Sequence, residues 1–243
     1  DFTQNSSEQG SSAIQKNNKT GKIQNMKEWD IKDLLDKNLI DEYDASKLLT
    51  FTHFSNPLFI LGISSSFIGN KDLGIPILIS HYLGNLIIGI ILRNYNKNEK
   101  DINKIFLKNI KLNNIKISNI IAKSISNTIN TLILILGSTT VFLVLTTLIN
   151  NIISLNGILK PIINGLFEMT QGLKRLEELN TSSNLKALIS VGILSFGGFS
   201  VHMQIITIIN ETNIKYLPYL LSRVLHVFIS MFIFFVWKII ELK

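Results

Sequence analysis

Polar residues that could contact a small solute interrupt several strongly apolar stretches of this chain. Ionisable and polar side chains are costly at membrane depth, and they usually mark binding sites or ion paths there. The short polar and glycine-containing interruptions also free backbone groups for contacts outside the helix. The residues that we predict to bind substrate are Ser55, Asn56, Pro57, His81, Asn85, Glu168, Gly197, Gly198, Ser200, His202, Gln204 and Arg223.

Three histidines, His81, His202 and His226, lie in apolar segments. No two of them have the spacing of metal ligands within one helix, and no cysteine or carboxylate cluster assists them. We therefore expect no metal site. Two other roles stay open, a hydrogen-bonded structural histidine or a contact to solute or proton. The sequence has no catalytic triad, phosphate-binding loop or carboxylate pair, so we expect neither an enzyme nor a cofactor.

Glu168 follows an apolar run and precedes Thr170 and Gln171. A carboxylate at membrane depth is costly to bury and is usually functional. The alternative is that Glu168 lies at the interface and only caps the following helix.

Polar residues also follow one face of the segment around residue 125, namely Asn119, Lys123, Ser126, Asn127 and Asn130. Two interpretations stay open: these residues line a path for the solute, or they form a helix end at the interface that water wets.

The first apolar stretch, residues 55–92, predicts a re-entrant hairpin. As a helix its first arm, residues 57–68, would rise only about 18 Å at about 1.5 Å per residue. The hydrocarbon core is roughly 30 Å thick, so this arm cannot cross it alone. Residues 69–74 (GNKDLG) turn the chain, and the second arm, residues 75–92, is long enough to cross. Broken elements of this kind persist in membranes only where protein or a wet cavity surrounds them.

Two further stretches are interrupted, and two are continuous. Pro161 predicts a broken helix over 156–171, and the Gly197–Gly198 pair predicts a broken span over 187–209. The continuous spans are predicted at 124–153 and 216–242. The predicted fold class is therefore all-α, a polytopic helical membrane protein with broken, re-entrant helical hairpins, in a membrane domain over 55–242.

Composition agrees with a membrane protein, because 46% of the residues are hydrophobic. Since 17% are nevertheless charged, the hydrophobic and charged residues must lie in separate stretches of the chain. The net charge of +7 lies mainly in loops, where it indicates topology rather than nucleic-acid binding. On that basis the loops 93–123 and 173–186 are predicted to be cytoplasmic. Residues 1–27 are predicted to be a disordered polar tail, and residues 28–54 a short soluble helical pair.

Five ordered motifs carry a resemblance to a known family. They are SNPLFILG (55–62), SHYLGN (80–85), FEMTQG (167–172), SFGGFSVHMQ (195–204) and RVLH (223–226). Together they resemble the YlbJ-like family of sporulation integral membrane proteins, within the nucleoside-recognition or gate-domain superfamily.

The resemblance implies a gate-type fold in the mother-cell-derived membrane around a developing forespore. The implied role is to move dipicolinic acid (pyridine-2,6-dicarboxylate) out of the mother cell. Family members carry further helices before the point that matches Lys32, so we expect this chain to represent the C-terminal part of the family. The implied partners are the bilayer, this anion, and other sporulation membrane proteins or further copies of the chain.

The predicted residues suit a rigid planar dianion, which needs backbone N–H, Asn and Ser donors and one Arg. Glu168 would repel such a dianion, so its expected role is to bind a coupling cation or proton, or to hold Arg223. Close packing of small residues between helices would also account for the SNP and GGF segments. Two other functions stay open. One is a transporter of nucleosides or other small solutes, and the other is a membrane scaffold of the forespore envelope that transports nothing.

Overall fold

The computed structural model of the chain describes residues 40–94, 117–210 and 212–241. Within these ranges the chain forms helices and no β-strand. Four of the helical stretches are long and apolar enough to cross a membrane, namely Lys71–Leu92, Ser124–Ile152, Ser183–Ile209 and Tyr216–Glu241. The all-α polytopic membrane class is confirmed. The tail 1–27, the first helix predicted within 28–54 and most of the basic loop 93–123 lie outside the described residues.

Helix α1 (Glu42–Thr52) leads into the first interrupted stretch. Asp41 caps α1, because its side chain accepts the Asp44 N–H at 2.7 Å. Helix α2 (Pro57–Ile63) follows, with Asn56 as its cap. A wider π-helical turn, Ser64–Ile68, extends α2 and ends at Gly69. After a 3-10 turn at Lys71–Leu73, helix α3 (Gly74–Leu92) runs back along the first arm. The stretch is thus a short arm, a turn and a longer arm.

The second interrupted stretch is broken at Glu168. Helix α4 (Ile117–Ile152) precedes helices α5 (Leu159–Phe167) and α6 (Met169–Arg175). The prediction that Pro161 breaks a helix is wrong, because Pro161 lies in the first turn of α5, where a missing N–H disrupts no helical hydrogen bond. The chain is instead extended at Glu168, with φ −141° and ψ 116°.

The third interrupted stretch is broken at a glycine pair. Helix α7 (Ser183–Phe196) ends at Gly197, and helix α8 (Gly198–Ile209) starts at the next residue. Both glycines have positive φ, 88° and 75°, a backbone region that residues with a Cβ rarely adopt. Helix α9 (Tyr216–Glu241) completes the described chain.

Helices α3, α7 and α9 pack together at the centre, with the α2 arm and α6 against them. Helix packing is close where glycines lie at the contact: a Cβ on Gly84 of α3 would come within 2.8 Å of the His226 ring of α9. Helix α4 is peripheral, since only 6% of its span is buried by the rest of the protein. Its C-terminal end is joined to α5 by Asn150 and Asn164, whose amides exchange two hydrogen bonds at 2.7 and 3.1 Å.

One surface ion cluster lies outside the spans. Glu178 accepts hydrogen bonds from Lys160, at 2.7 Å, and from Arg175. The hydrogen bond from Lys160 first, and that from Arg175 second, lower the pKa of the Glu178 carboxyl below its ordinary value. Both basic partners are partly exposed, so the cluster contributes little to stability.

Candidate functional site

A cavity of about 460 Å³ lies where the broken elements meet. That volume falls within the range of small-molecule sites, roughly 300–1,000 Å³. Its wall is built from the α1–α2 link, the α5–α6 break, the α7–α8 break, α9 and one face of α4. The lining residues are His53, Phe54, Ser55, Asn56, Phe59, Ile135, Thr139, Glu168, Met169, Thr170, Leu194, Ser195, Phe196, Gly197, Ser200, Val201, Gln204, Tyr219 and Arg223. Aromatic rings and a few polar groups therefore surround the space.

Arg223 is the cation of the cavity, and only 2% of its surface is exposed. Its guanidinium donates to the Thr50 carbonyl, to the His53 carbonyl at 3.0 Å and to Asn85 Oδ1 at 2.9 Å. The first two acceptors belong to the C-terminal end of α1, where a helix favours positive charge. Arg223 thereby joins α9 to α1 and α3. Its Nε and the hydroxyl of Tyr219, one turn earlier on α9, are both buried without a hydrogen-bond partner among the described residues.

Glu168 is the carboxylate of the cavity, 3% exposed. Its Oε2 accepts the hydroxyl of Thr170 and, at 2.8 Å, the backbone N–H of Gln171. Glu168 therefore caps the following helix, which was the alternative role expected from the sequence. It does so from a buried position on the cavity wall and not from an exposed interface. Among the described residues no ion pair joins it to Arg223. The expectation that Glu168 holds Arg223 is not met in this structure.

A network of buried histidines and serines, which reaches the cavity wall at Ser195, joins α3, α7 and α9. His81 Nε2 accepts the Ser55 N–H at 3.3 Å, so its proton is on Nδ1, which lies 3.4 Å from Ser195 Oγ. Ser195 contacts Ser230 Oγ at 2.6 Å. His226 Nε2 donates to the His81 carbonyl at 2.8 Å. These groups position the start of α2 against α3 and α9.

His202 holds the third break together. Its Nε2 donates to the Phe196 carbonyl at 3.1 Å, across the glycine pair, and its Nδ1 lies 2.6 Å from the hydroxyl of Tyr216. Thus the three histidines of the spans are hydrogen-bonded inside the protein. Within residues 40–94, 117–210 and 212–241, no three histidine or acidic residues are placed to hold a metal ion.

The two later breaks cross at Gly198. A Cβ at this residue would lie 3.0 Å from both the Gly165 carbonyl oxygen and the Met169 nitrogen. The backbone of α8 therefore lies directly against the backbone of the α5–α6 break, with little room for a Cβ between them. Because both breaks border the cavity, this crossing determines the position of Glu168 relative to the start of α8.

The structure brings seven of the predicted residues onto the cavity wall and leaves five off it. Those on the wall are Ser55, Asn56, Glu168, Gly197, Ser200, Gln204 and Arg223. Those not on the wall are Pro57, His81, Asn85, Gly198 and His202. Pro57 is exposed at the first turn of α2, and the other four contact residues that line the cavity. The side chains of Ser126, Asn127 and Asn130 are exposed on α4, away from the cavity. Side-chain positions of Asn119 and Lys123 are outside the described part of the chain.

Sequence reasoning missed the aromatic part of the wall. Phe54 and Phe196 directly precede the SNP and GG motifs, and Tyr219 lies one helical turn before Arg223. The signal that could have found them is this adjacency to the predicted residues. Phe59, two residues after Pro57, lies half-buried on the same wall.

The fold and the cavity define a polytopic helical membrane protein in which discontinuous helices meet around a small-molecule-sized space. The chain is 30% identical over 240 residues to the sporulation integral membrane protein YlbJ of Bacillus subtilis (strain 168). The match covers 84% of this chain and 59% of YlbJ, so the chain spans about three fifths of that relative's length. The similarity confirms the YlbJ-like relationship that the five motifs indicated. No family model matches the chain, and no solved structure matches it.

Proposed function

We propose that this chain is a sporulation membrane protein whose cavity binds dipicolinic acid for transport from the mother cell across the outer forespore membrane. The name of the relative YlbJ supports the sporulation context. The solute and its direction are inferred from the family resemblance and from the chemistry of the cavity. If the solute is dipicolinate, the residues that line the cavity must contact a flat ring that carries two carboxylates.

The observation that carries this proposal is the pairing of Arg223 with aromatic walls in one cavity. Aromatic side chains favour a flat ring, and Phe54, Phe59, Phe196 and Tyr219 supply four of them. A guanidinium is the side chain best suited to a carboxylate. Arg223 Nε and the Tyr219 hydroxyl are buried donors that lack acceptors among the described residues. Since such donors are rare in folded proteins, an anion that supplies the acceptors is the ligand class that fits.

A second solute class is favoured by Glu168. Its carboxylate lines the same cavity, and an ionised carboxylate accepts hydrogen bonds only. A neutral solute rich in hydroxyl donors, such as a nucleoside, would satisfy it. Uridine is therefore the competitor against which dipicolinate should be compared.

Binding to the purified chain in lipid nanodiscs tests the proposal. Isothermal titration with dipicolinate and with uridine gives the two affinities directly. Arg223→Gln should weaken dipicolinate binding at least about tenfold, because a charge-assisted hydrogen bond contributes roughly 1.5–3 kcal/mol. Arg175→Gln is the matched control: it removes an arginine that does not line the cavity, and it should leave affinity unchanged. Tighter binding of uridine than of dipicolinate by the wild-type chain would contradict the proposal. Equal affinities of Arg223→Gln and Arg175→Gln for dipicolinate would also contradict it.

The cellular role needs a sporulating strain that lacks its own YlbJ-like protein. Terbium luminescence measures dipicolinic acid in the mother cell and in the spores. We expect the acid to stay in the mother cell, and to reach spores again when this chain or an upstream-extended version is expressed. Normal filling of spores without the protein would refute dipicolinate transport and favour a scaffold that transports nothing.

A further inference from the structure

We infer that the α5–α6 pair enters the membrane from the face opposite the basic loop 93–116 and returns to that same face. Glu168, at the innermost point of the pair, then belongs to the side of the cavity toward which the solute leaves. The position of the pair follows from packing and charge, and only the direction of solute movement rests on the proposed function.

Helices α5 and α6 form a hairpin whose two outer ends lie together. Lys160, in the first turn of α5, donates to Glu178, which follows α6, at 2.7 Å. Between those ends the two backbones are in close contact, since a Cβ on Gly172 would collide with the Gly165 backbone. The nine residues of α5 rise only about 14 Å, less than half of the roughly 30 Å hydrocarbon core. The pair therefore enters the bundle and turns back at Glu168 without crossing.

Helices α1 and α2 together run antiparallel along the whole of α3. A Cβ on Gly74, at the start of α3, would lie 2.8 Å from Ser64 Oγ of the π-helical turn. In the middle of α3, His81 accepts a backbone N–H of the α1–α2 link. Near the end of α3, a Cβ on Gly89 would lie 3.2 Å from the Phe51 ring of α1. Helix α1, the link and α2 are thus one discontinuous crossing beside a continuous one.

Helix α3 therefore marks the two membrane faces. Its nineteen residues rise about 28 Å, close to the roughly 30 Å thickness of the hydrocarbon core. The turn 69–74 lies at one face, because it precedes α3. Leu92 and the start of α1 lie at the other face.

The α5–α6 pair belongs to the face that carries the turn 69–74. One hydrophobic cluster contains Leu73 of that turn, Leu176 after α6 and Ala187 of α7. Leu92, by contrast, borders a groove with α1 and with the first turns of α9. The loops that follow Leu92 and Leu176 are therefore at opposite faces.

Charge distinguishes the two faces. Residues 93–116 include seven basic and two acidic residues, whereas 173–186 include three basic and two acidic ones. Short loops rich in Lys and Arg stay on the cytoplasmic side of a membrane. The face at the end of α3 is therefore cytoplasmic, and the face of the α5–α6 pair is not. The loops 93–123 and 173–186 then lie on opposite sides, although their charge alone led us to expect both in the cytoplasm.

The tip of the pair reaches the middle of the bundle. Glu168 and Met169 line the cavity, and a Cβ on Gly198 would lie 3.0 Å from the Met169 nitrogen. The outer part of α6 packs at the non-cytoplasmic end through Leu173 and Leu176. The pair therefore lies between the cavity and the non-cytoplasmic face.

Cysteine labelling in membranes tests this orientation, because the chain has no cysteine and each substitution introduces a single thiol. Asp72→Cys, Asn156→Cys and Asn180→Cys are exposed positions of the non-cytoplasmic face. Asn94→Cys and Lys215→Cys are exposed positions of the cytoplasmic face. A membrane-impermeant maleimide is applied to sealed right-side-out and inside-out vesicles from cells that express the full chain. We expect the first three variants to react only in right-side-out vesicles and the last two only in inside-out vesicles.

Two controls accompany the labelling. The cysteine-free chain should stay unlabelled under all conditions. Ser190→Cys, at a position with no exposed surface, should react only after the chain is unfolded in detergent.

Four results would refute the inference. Labelling of Asn94→Cys and Asn180→Cys from the same face puts both basic loops on one side. Labelling of Asn156→Cys and Asn180→Cys from opposite faces means that the α5–α6 pair crosses the membrane. Failure of Asp72→Cys to react from either face means that the turn lies inside the membrane. An exchange of the two labelling patterns puts the α5–α6 pair on the cytoplasmic face.

The labelling needs no solute, so it is independent of the proposed function. A refuted orientation leaves dipicolinate binding to be decided by calorimetry. Conversely, the expected labelling pattern together with a failure to bind dipicolinate supports the orientation and refutes only the proposed solute.

Discussion

Substitution of Gly198 by alanine tests whether the crossing of the two later breaks supports the site. Gly198 has a φ of 75°, and its added Cβ would lie 3.0 Å from the Gly165 carbonyl oxygen and the Met169 nitrogen. Gly69 is a matched control, because its φ is 74° and nothing lies within 4 Å of the position of its Cβ. The two residues therefore share the backbone conformation and differ in the contact.

The expected loss of stability has two contributions, the left-handed backbone conformation and the close contact. Placing a Cβ in the left-handed region costs about 1–2 kcal/mol, which applies to both variants. Overpacking against a backbone that cannot move away adds typically about 1–3 kcal/mol, and this applies to Gly198 only. We expect Gly69→Ala to lower the free energy of unfolding by about 1–2 kcal/mol and Gly198→Ala by about 2–5 kcal/mol.

Unfolding of both variants by sodium dodecyl sulfate in mixed micelles measures the difference between them. Dipicolinate titration of the folded fraction should also show weaker binding for Gly198→Ala, because a shift at the crossing moves Glu168 and the start of α8. The reasoning fails if Gly198→Ala is no less stable than Gly69→Ala. It also fails if both variants bind the ligand equally well.

Three further predictions concern single groups. Tyr219→Phe should leave stability unchanged or raise it by up to about 1 kcal/mol, because the hydroxyl is buried without a partner among the described residues. The same substitution should nevertheless weaken dipicolinate binding. Thermal melting measures the first effect and calorimetric titration of the same sample measures the second. Asn164→Leu should reduce stability by about 1–3 kcal/mol, since it leaves Asn150 unpaired at the α4–α5 contact, and the double variant with Asn150→Leu should recover part of that loss in the same unfolding assay. Glu178→Gln should destabilise the chain by less than about 1 kcal/mol at neutral pH. Because the folded pKa of Glu178 is lowered, its contribution is present above the unfolded value of about 4.3 and is lost as pH falls through the folded value. The melting temperatures of the wild-type chain and of Glu178→Gln should therefore become equal at low pH. A difference in melting temperature that persists at low pH would contradict the ion-cluster explanation.

Much of the architecture can be predicted from local patterns. A short apolar arm before Gly69 and a longer arm after it predict the hairpin, since arm length relative to bilayer thickness is a property of the sequence alone. The Gly197–Gly198 pair marks a break because adjacent glycines favour conformations outside the helix. Pro161 misled the prediction, because proline in a first turn and proline in a helix interior have the same sequence signature but opposite effects.

The composition of the site was harder to predict. Asn85 and His202 have the residue types of solute ligands, yet their side chains point to Arg223 and to the Phe196 carbonyl. Which hydrogen-bonding groups face a cavity and which support its wall depends on contacts between helices that are far apart in sequence. The rings of Phe54 and Tyr219 look like ordinary apolar positions of a membrane protein until the helices are assembled.

The sequence by itself determined the membrane class, the positions of most helix interruptions and the YlbJ-like relationship, because hydropathy, glycine pairs and ordered motifs are local properties. The tertiary structure decided that Arg223 caps α1, that Glu168 faces the same cavity without pairing to it, and that His81 and His226 lie behind the wall. The physical reason is that burial and hydrogen-bond partnership belong to pairs of segments, and such pairs form only when the broken helices pack against one another.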